Sequence, residues 1–98
     1  MKILISGDKG FIGSNLYPVL LQGNQVWSYD KKDGLDIFDD QIEDIIKQVD
    51  IVIHLAAETS VDGSFKNPSK HFTVNTMGTG RVAYFCQKYN KKLIFPST

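Results

Sequence analysis

The sequence predicts an α/β fold, a doubly wound parallel sheet with helices on both faces. Three observations predict it. Short apolar runs without polar alternation, Ile3-Leu4-Ile5, Ile51-Val52-Ile53 and Leu93-Ile94-Phe95, read as strands buried on both faces. Amphipathic helical stripes separate these runs. Glycines at 7, 10 and 13 follow the first run and lead into a helical pattern, so strand, tight turn and helix come in the order of a nucleotide-binding βαβ unit.

Each of those glycines has its own mechanical reason. Gly7 permits a tight turn off the strand, Gly10 lets a pyrophosphate approach the backbone, and Gly13 lets the helix pack against the strands. The helix N-terminus then offers free N–H groups and a positive dipole end to phosphates. Glycine-rich turns follow many strands, so it is the flanking strand and helix that give the spacing meaning. The spacing is G-x-x-G-x-x-G rather than G-x-G-x-x-G.

The first helix is expected over Ser14 to Gln22, with Ile12, Leu16, Val19 and Leu20 as its apolar stripe and Pro18 bending it. Gly23-Asn24 reads as the stop signal, and Gln25 to Tyr29 as the second strand. Asp30 follows that strand directly. A carboxylate there can accept both hydroxyls of an adenosine ribose, which favours NAD over NADP; the plainer reading is a turn or cap residue. Lys31-Lys32 are either solvated charge or a site for the NADP 2′-phosphate.

Leu35-Asp36-Ile37 is expected to be the remnant of a further strand, with Gly34 turning into it. Asp39 or Asp40 can cap a helix whose stripe is Ile42, Ile45, Ile46 and Val49. The strand from Asp50 ends in His54-Leu55-Ala56-Ala57, where small residues suit a flat ligand lying at a carboxyl edge. His54 reads as a packed strand-end histidine. Asn67-Pro68 opens a helix with Phe72, Asn75, Thr79, Val82 and Cys86 on one stripe. Asn75 there is either a satisfied core amide or a brace for the strand ends. Gly78 and Gly80 allow close packing. Lys91-Lys92-Leu93-Ile94-Phe95 should begin one more buried strand.

The 98 residues bound one small domain. Eleven acidic and eleven basic residues give zero formal charge, with no basic stripe, which argues against nucleic acid. No apolar run approaches spanning length and no signal-peptide pattern appears, so no membrane partner is expected. The lone Cys86 makes an internal disulfide impossible and fits a reducing, cytoplasmic setting.

Six blocks in order resemble the extended short-chain dehydrogenase/reductases, and within them the nucleotide-sugar epimerase/dehydratase group. They are Gly7-x-x-Gly10-Phe11-Ile12-Gly13, Asp30, Asp36-Ile37, His54-Leu55-Ala56-Ala57, Val74-Asn75-x-x-Gly78-Thr79 and Phe95-Pro96-Ser97-Thr98. The resemblance covers essentially the whole chain. It implies a Rossmann-like fold, NAD as cofactor with NADP second, and a nucleotide-sugar substrate oxidised transiently by bound NAD. It further implies that Gly7, Gly10, Phe11, Ile12, Gly13 and Asp30 hold the dinucleotide. Asp36 and Ile37 would contact adenine, and Leu55, Ala56 and Ala57 would line the cofactor. Asn75 would be the active-site asparagine, Ser97 would sit beside the cofactor, and Thr98 would take the catalytic hydroxyl position. Residues 56–64 and the Ser97-Thr98 pair resemble 4,6-dehydratases, whereas the short 31–40 region with Leu35-Asp36-Ile37 resembles dTDP-4-dehydrorhamnose reductases.

The family's Y-x-x-x-K helix is expected beyond Thr98. Tyr84 and Lys88 fit that bare pattern, but on a helix preceding the serine/threonine strand. The chain therefore reads as the N-terminal part of an NAD(P)-binding domain, truncated after that strand and lacking its substrate domain. Alone it should be inactive, and its open edge should drive self-association. A non-catalytic dinucleotide-binding module is the reading from another class.

Overall fold

The structure, a computed structural model, describes residues 1–56 and 68–95, leaving aside the side chains of 68–75. Four strands, β1 (Lys2–Ser6), β2 (Gln25–Tyr29), β3 (Ile51–His54) and β4 (Lys92–Ile94), form one sheet in the order β2-β1-β3-β4. Every pairing is parallel. The helices are α1 (Phe11–Leu20), α2 (Gln41–Gln48) and α3 (Pro68–Lys88), with one 3-10 turn at Lys31–Asp33.

The period of two along each strand sorts the apolar runs onto opposite faces. Leu4, Tyr29 and Val52 point one way and pack with Ile42, Ile46 and Val49 at α2 and Val82 and Cys86 on α3. Ile3, Ile5 and Ile53 point the other way and meet Leu16, Tyr17 and Leu20 of α1. The helices thus lie on both faces, as the unbroken apolar runs require.

Several local expectations need correction. Helix α1 begins at Phe11, inside the glycine motif and three residues before the expected start. Its inward residues are Leu16, Tyr17 and Leu20, while Ile12 and Val19 are exposed. Pro18 lies within α1.

Leu35-Asp36-Ile37 is not a strand. Side-chain-to-backbone bonds coil it instead: the Asp36 carboxylate accepts the Phe38 N–H at 2.9 Å, and that of Asp39 accepts the Asp36 N–H at 3.2 Å. Asp40 occupies the N-cap position of α2 but makes no capping bond with its side chain; its carboxylate faces Arg81 at 3.6 Å.

Strand β4 is shorter and wetter than expected. It lies at the edge of the described sheet, with Ile94 and Phe95 half exposed. Gly78 does allow close packing, since a Cβ there would meet Ile37 Cγ2 at 3.4 Å; at Gly80 it would meet open space.

Candidate functional site

The carboxyl ends of β1, β2 and β3 converge on the glycine loop. Gly7 leaves β1 with φ +75°, and its N–H donates to Tyr29 O at 2.9 Å. A Cβ on Gly7 would sit 2.7 Å from the Ala56 nitrogen. Only glycine meets both demands, the left-handed backbone and the contact with the end of β3. On Gly13 a Cβ would lie 2.4 Å from Gly7 O and 2.5 Å from Asp8 Cα. This glycine therefore seats α1 on the loop backbone rather than on the strands.

Gly10 differs from both. Its φ of −78° suits any residue, and a Cβ there would meet only Gly7 O, at 3.4 Å. No contact among the described residues demands a glycine at this position. It is also the N-cap of α1, and it has no side chain with which to cap it. The ladder of α1 opens with Ser14 N–H donating to Gly10 O at 2.8 Å. The N–H groups of Phe11, Ile12 and Gly13 precede that bond. The first turn carries no acidic side chain. Bare donors, a positive dipole end and a glycine with no side chain in the way form a cradle that fits a diphosphate.

Asp30 directly follows β2 and is 6% exposed. One carboxylate oxygen accepts the Lys9 N–H at 2.8 Å, and the other accepts the Lys32 N–H at 2.8 Å, capping the 3-10 turn. The plainer sequence reading, a turn-and-cap residue, is thus realised in full. Each oxygen retains a lone pair for a further donor. Lys32 is not simply solvated, because its ammonium donates to Lys9 O at 3.0 Å. The Lys9 ammonium pairs with Asp33, whose carboxylate raises it above the usual lysine range.

Sequence reasoning missed a polar set beneath the loop. Ser6 Oγ accepts the N–H groups of Leu55 and Ala56 at 3.1 and 3.3 Å and lies 2.7 Å from His54 Nδ1. With its lone pairs so used, the hydroxyl donates to Nδ1, which leaves the imidazole proton on Nε2. Burial pushes the His54 pKa down to about 4, so the ring is neutral near pH 7. It fixes the strand end where Ala56 approaches Gly7. Asp8 is likewise buried; one oxygen accepts Ser28 Oγ at 2.7 Å, and the other has no partner among the described residues. A hydroxyl residue closing β1 and the alternation along β2 were the signals available for Ser6 and Ser28.

Asp36 and Ile37 lie in the coiled loop between the 3-10 turn and α2. Tyr29 Oη donates to Asp36 O at 2.7 Å, and Arg81 Nε donates to Ile37 O at 3.1 Å, so β2 and α3 hold this loop in place. The structure brings together Gly7, Gly10, Phe11, Ile12, Gly13 and Asp30 around one loop, with Leu55 and Ala56 beside Gly7. Ala57, Ser97 and Thr98 lie outside the described residues, and of Asn75 only its place within α3 is described.

Fold and loop together define a Rossmann-like dinucleotide-binding architecture. Comparison with known proteins narrows that class. Residues 1–98 match the family model described as RmlD substrate binding domain. A dTDP-D-glucose 4,6-dehydratase of Dictyostelium discoideum is 35% identical over 99% of this chain and 29% of its own length. The structure of a UDP-glucose-4-epimerase from Stenotrophomonas maltophila, with bound NAD and formylated UDP-arabinopyranose, matches with a TM-score of 0.84. It is 27% identical, over 100% of this chain and 37% of that one. A dTDP-4-dehydrorhamnose reductase from Bacillus anthracis str. Ames, in complex with NADP, matches with a TM-score of 0.79 and 30% identity, over 94% of this chain and 34% of that one. The chain belongs to this family of short-chain dehydrogenases and epimerases, as its motifs imply. It spans about a third or less of the curated relatives it matches. Among the described residues no helix is long and apolar enough to cross a membrane.

Proposed function

We propose that this chain is the dinucleotide-binding portion of an NAD-dependent enzyme acting on a nucleotide sugar, as an epimerase or a 4,6-dehydratase. The observation that carries the reading is Gly10. Nothing tighter than Gly7 O at 3.4 Å opposes a Cβ there, yet the position is glycine, beside the bare N–H groups of Phe11, Ile12 and Gly13. A diphosphate supplies the missing reason, because it approaches the backbone only where no Cβ intervenes. Asp30 would accept the ribose hydroxyls with its spare lone pairs, favouring NAD over NADP. Asp36 and Ile37 would lie along adenine, and Leu55, Ala56 and Ala57 along the rest of the dinucleotide.

Bound NAD would supply a hydride acceptor for a sugar carbinol. The chain's own part is to hold and orient it. Asn75 would brace the strand ends, Ser97 would border the cofactor, and the Thr98 hydroxyl would hydrogen-bond the reacting sugar oxygen. The tyrosine and lysine of the family's proton relay would come from sequence beyond Thr98, along with the sugar-binding domain. Without that relay the step loses roughly 10²–10⁴-fold in rate, so these 98 residues alone would bind without turning over.

A reductase of the dTDP-4-dehydrorhamnose type is the second reading. It is favoured by the short, strandless 31–40 segment and by the family model that spans the chain. Titration calorimetry with NAD and NADP tests the binding claim. Saturable NAD binding, weakened at least about ten-fold in Gly10→Val, is expected. No saturable binding of either dinucleotide, or unchanged affinity in Gly10→Val, would sink it. Turnover of a UDP- or dTDP-sugar by the pure chain would overturn its catalytic incompleteness.

A further inference from the structure

The coil that would lie along adenine has no ladder of its own. Residues 35–40 run between the 3-10 turn and α2 and belong to no strand. The carboxylates of Asp36 and Asp39 set its bends locally. Arg81 of α3 then ties it to the body. Nε donates to Ile37 O at 3.1 Å, Nη2 donates to Asp39 O at 3.3 Å, and Nη2 also lies 3.6 Å from the Asp40 carboxylate. The Phe85 ring, one turn further along α3, steadies the guanidinium, with its centroid 5.0 Å from Cζ. A planar fork can hold two carbonyls in one fixed geometry, whereas a lysine ammonium is a single mobile point charge. Asp36 stands immediately before the first of these carbonyls. Its own carbonyl accepts Tyr29 Oη at 2.7 Å, so the two peptide groups after its Cα are pinned from β2 and α3. Asp36 is half-buried, and its carboxylate accepts the Phe38 N–H while keeping lone pairs for another donor. An adenine amino group is such a donor.

We propose that Arg81 is a positioning residue for base recognition: its guanidinium, forked onto the Ile37 and Asp39 carbonyls, holds the Asp36 carboxylate where it accepts the adenine amino group. The inference rests on the dinucleotide reading above and adds the residue that makes the site select this base. Arg81 touches no ligand itself. It acts from 44 residues beyond Ile37 in sequence, through the backbone of the coil. One hydrogen bond from an amino group to a carboxylate, made or lost, changes affinity about ten-fold.

The test separates positioning from general support of the fold by comparing two ligands. NAD and nicotinamide hypoxanthine dinucleotide, which carries a carbonyl in place of the adenine amino group, are titrated calorimetrically into the parent chain, Arg81→Met and Arg81→Lys. The parent is expected to prefer NAD by about ten-fold. Both variants should lose most of that preference, with NAD weakening toward the level of the hypoxanthine analogue. A purely structural loss would weaken both dinucleotides alike and leave the preference intact. Arg81→Lys keeps a cation beside Asp40 and supplies the second variant should Arg81→Met fold poorly. Either folded variant that retains the parent's preference overturns the role of Arg81. A parent that binds both dinucleotides equally overturns it too, because Asp36 then does not read the amino group, while the diphosphate cradle stands. Parent chain that shows no saturable binding of either dinucleotide removes the site and the inference together.

Discussion

The two faces of the sheet are built differently. On the α2/α3 face, Leu4, Tyr29, Ile42, Ile46, Val49, Val52, Val82 and Cys86 are all nearly or fully closed to solvent. On the α1 face, among the described residues, only Ile3, Ile5 and Ile53 reach that state, and α1 leaves Phe11, Ile12 and Val19 largely exposed. The first face is a packed core. The second is a thin layer whose tightest contacts are backbone on backbone, around Gly7 and Gly13. The contrast teaches where stability and ligand binding are separated. The α2/α3 face holds the sheet together, while the α1 face presents the glycine loop with few side chains in the way.

The largest expected break of this contrast is Ile46→Ala. Truncating a fully buried isoleucine on the α2/α3 face should cost about 2–5 kcal/mol in urea unfolding, whereas Val19→Ala on α1 should change stability by less than about 0.5 kcal/mol. Equal losses would erase the distinction between the faces.

Acid probes the same face through His54. Its folded pKa of about 4 lies below the unfolded value of 6.5. The unfolded chain therefore binds the extra proton, and stability is full above pH 6.5 and lost as pH falls toward 4. The loss should approach on the order of 3 kcal/mol across that window. His54→Gln should flatten that slope when unfolding is followed against pH; a slope unaltered by the substitution would show that another group titrates there.

Within the glycine loop the contrast sharpens to single residues. Gly13→Ala forces a Cβ into the Gly7–Asp8 backbone and should cost about 1–3 kcal/mol by thermal unfolding. Gly10→Ala should fall within about 0.5 kcal/mol of the parent, because its Cβ meets nothing tighter than 3.4 Å. The smallest effect is chemical. Burial pushes the Cys86 thiol up to about 11, so iodoacetamide should label it slowly at neutral pH and quickly only in denaturant.

The residues that the sequence made legible are those whose period or covalent character fixes their role. Three parallel strands, the stop at Gly23-Asn24, the α2 stripe and Pro68 opening α3 all follow from local pattern. Such patterns reflect which face must be buried, and burial is decided residue by residue along the chain. The sequence also carried Gly7, because a turn off a buried strand demands a left-handed backbone.

Other features were settled only by what each segment meets in space. Leu35–Ile37 has strand-like composition, but Tyr29 and Arg81 hold it as a coil from two different elements. Asp30 carries the same carboxylate in either of its sequence readings, and only the positions of Lys9 and Lys32 reveal that each of its oxygens already holds one backbone N–H. Ser6 and His54 are 48 residues apart, yet they share one hydrogen bond because β1 and β3 are register partners. Hydrogen bonds and steric walls between distant residues depend on distances that no local period encodes. The chain by itself therefore determined the parallel sheet and its glycine turn, while tertiary contact decided which groups at that turn are bare and which are already held.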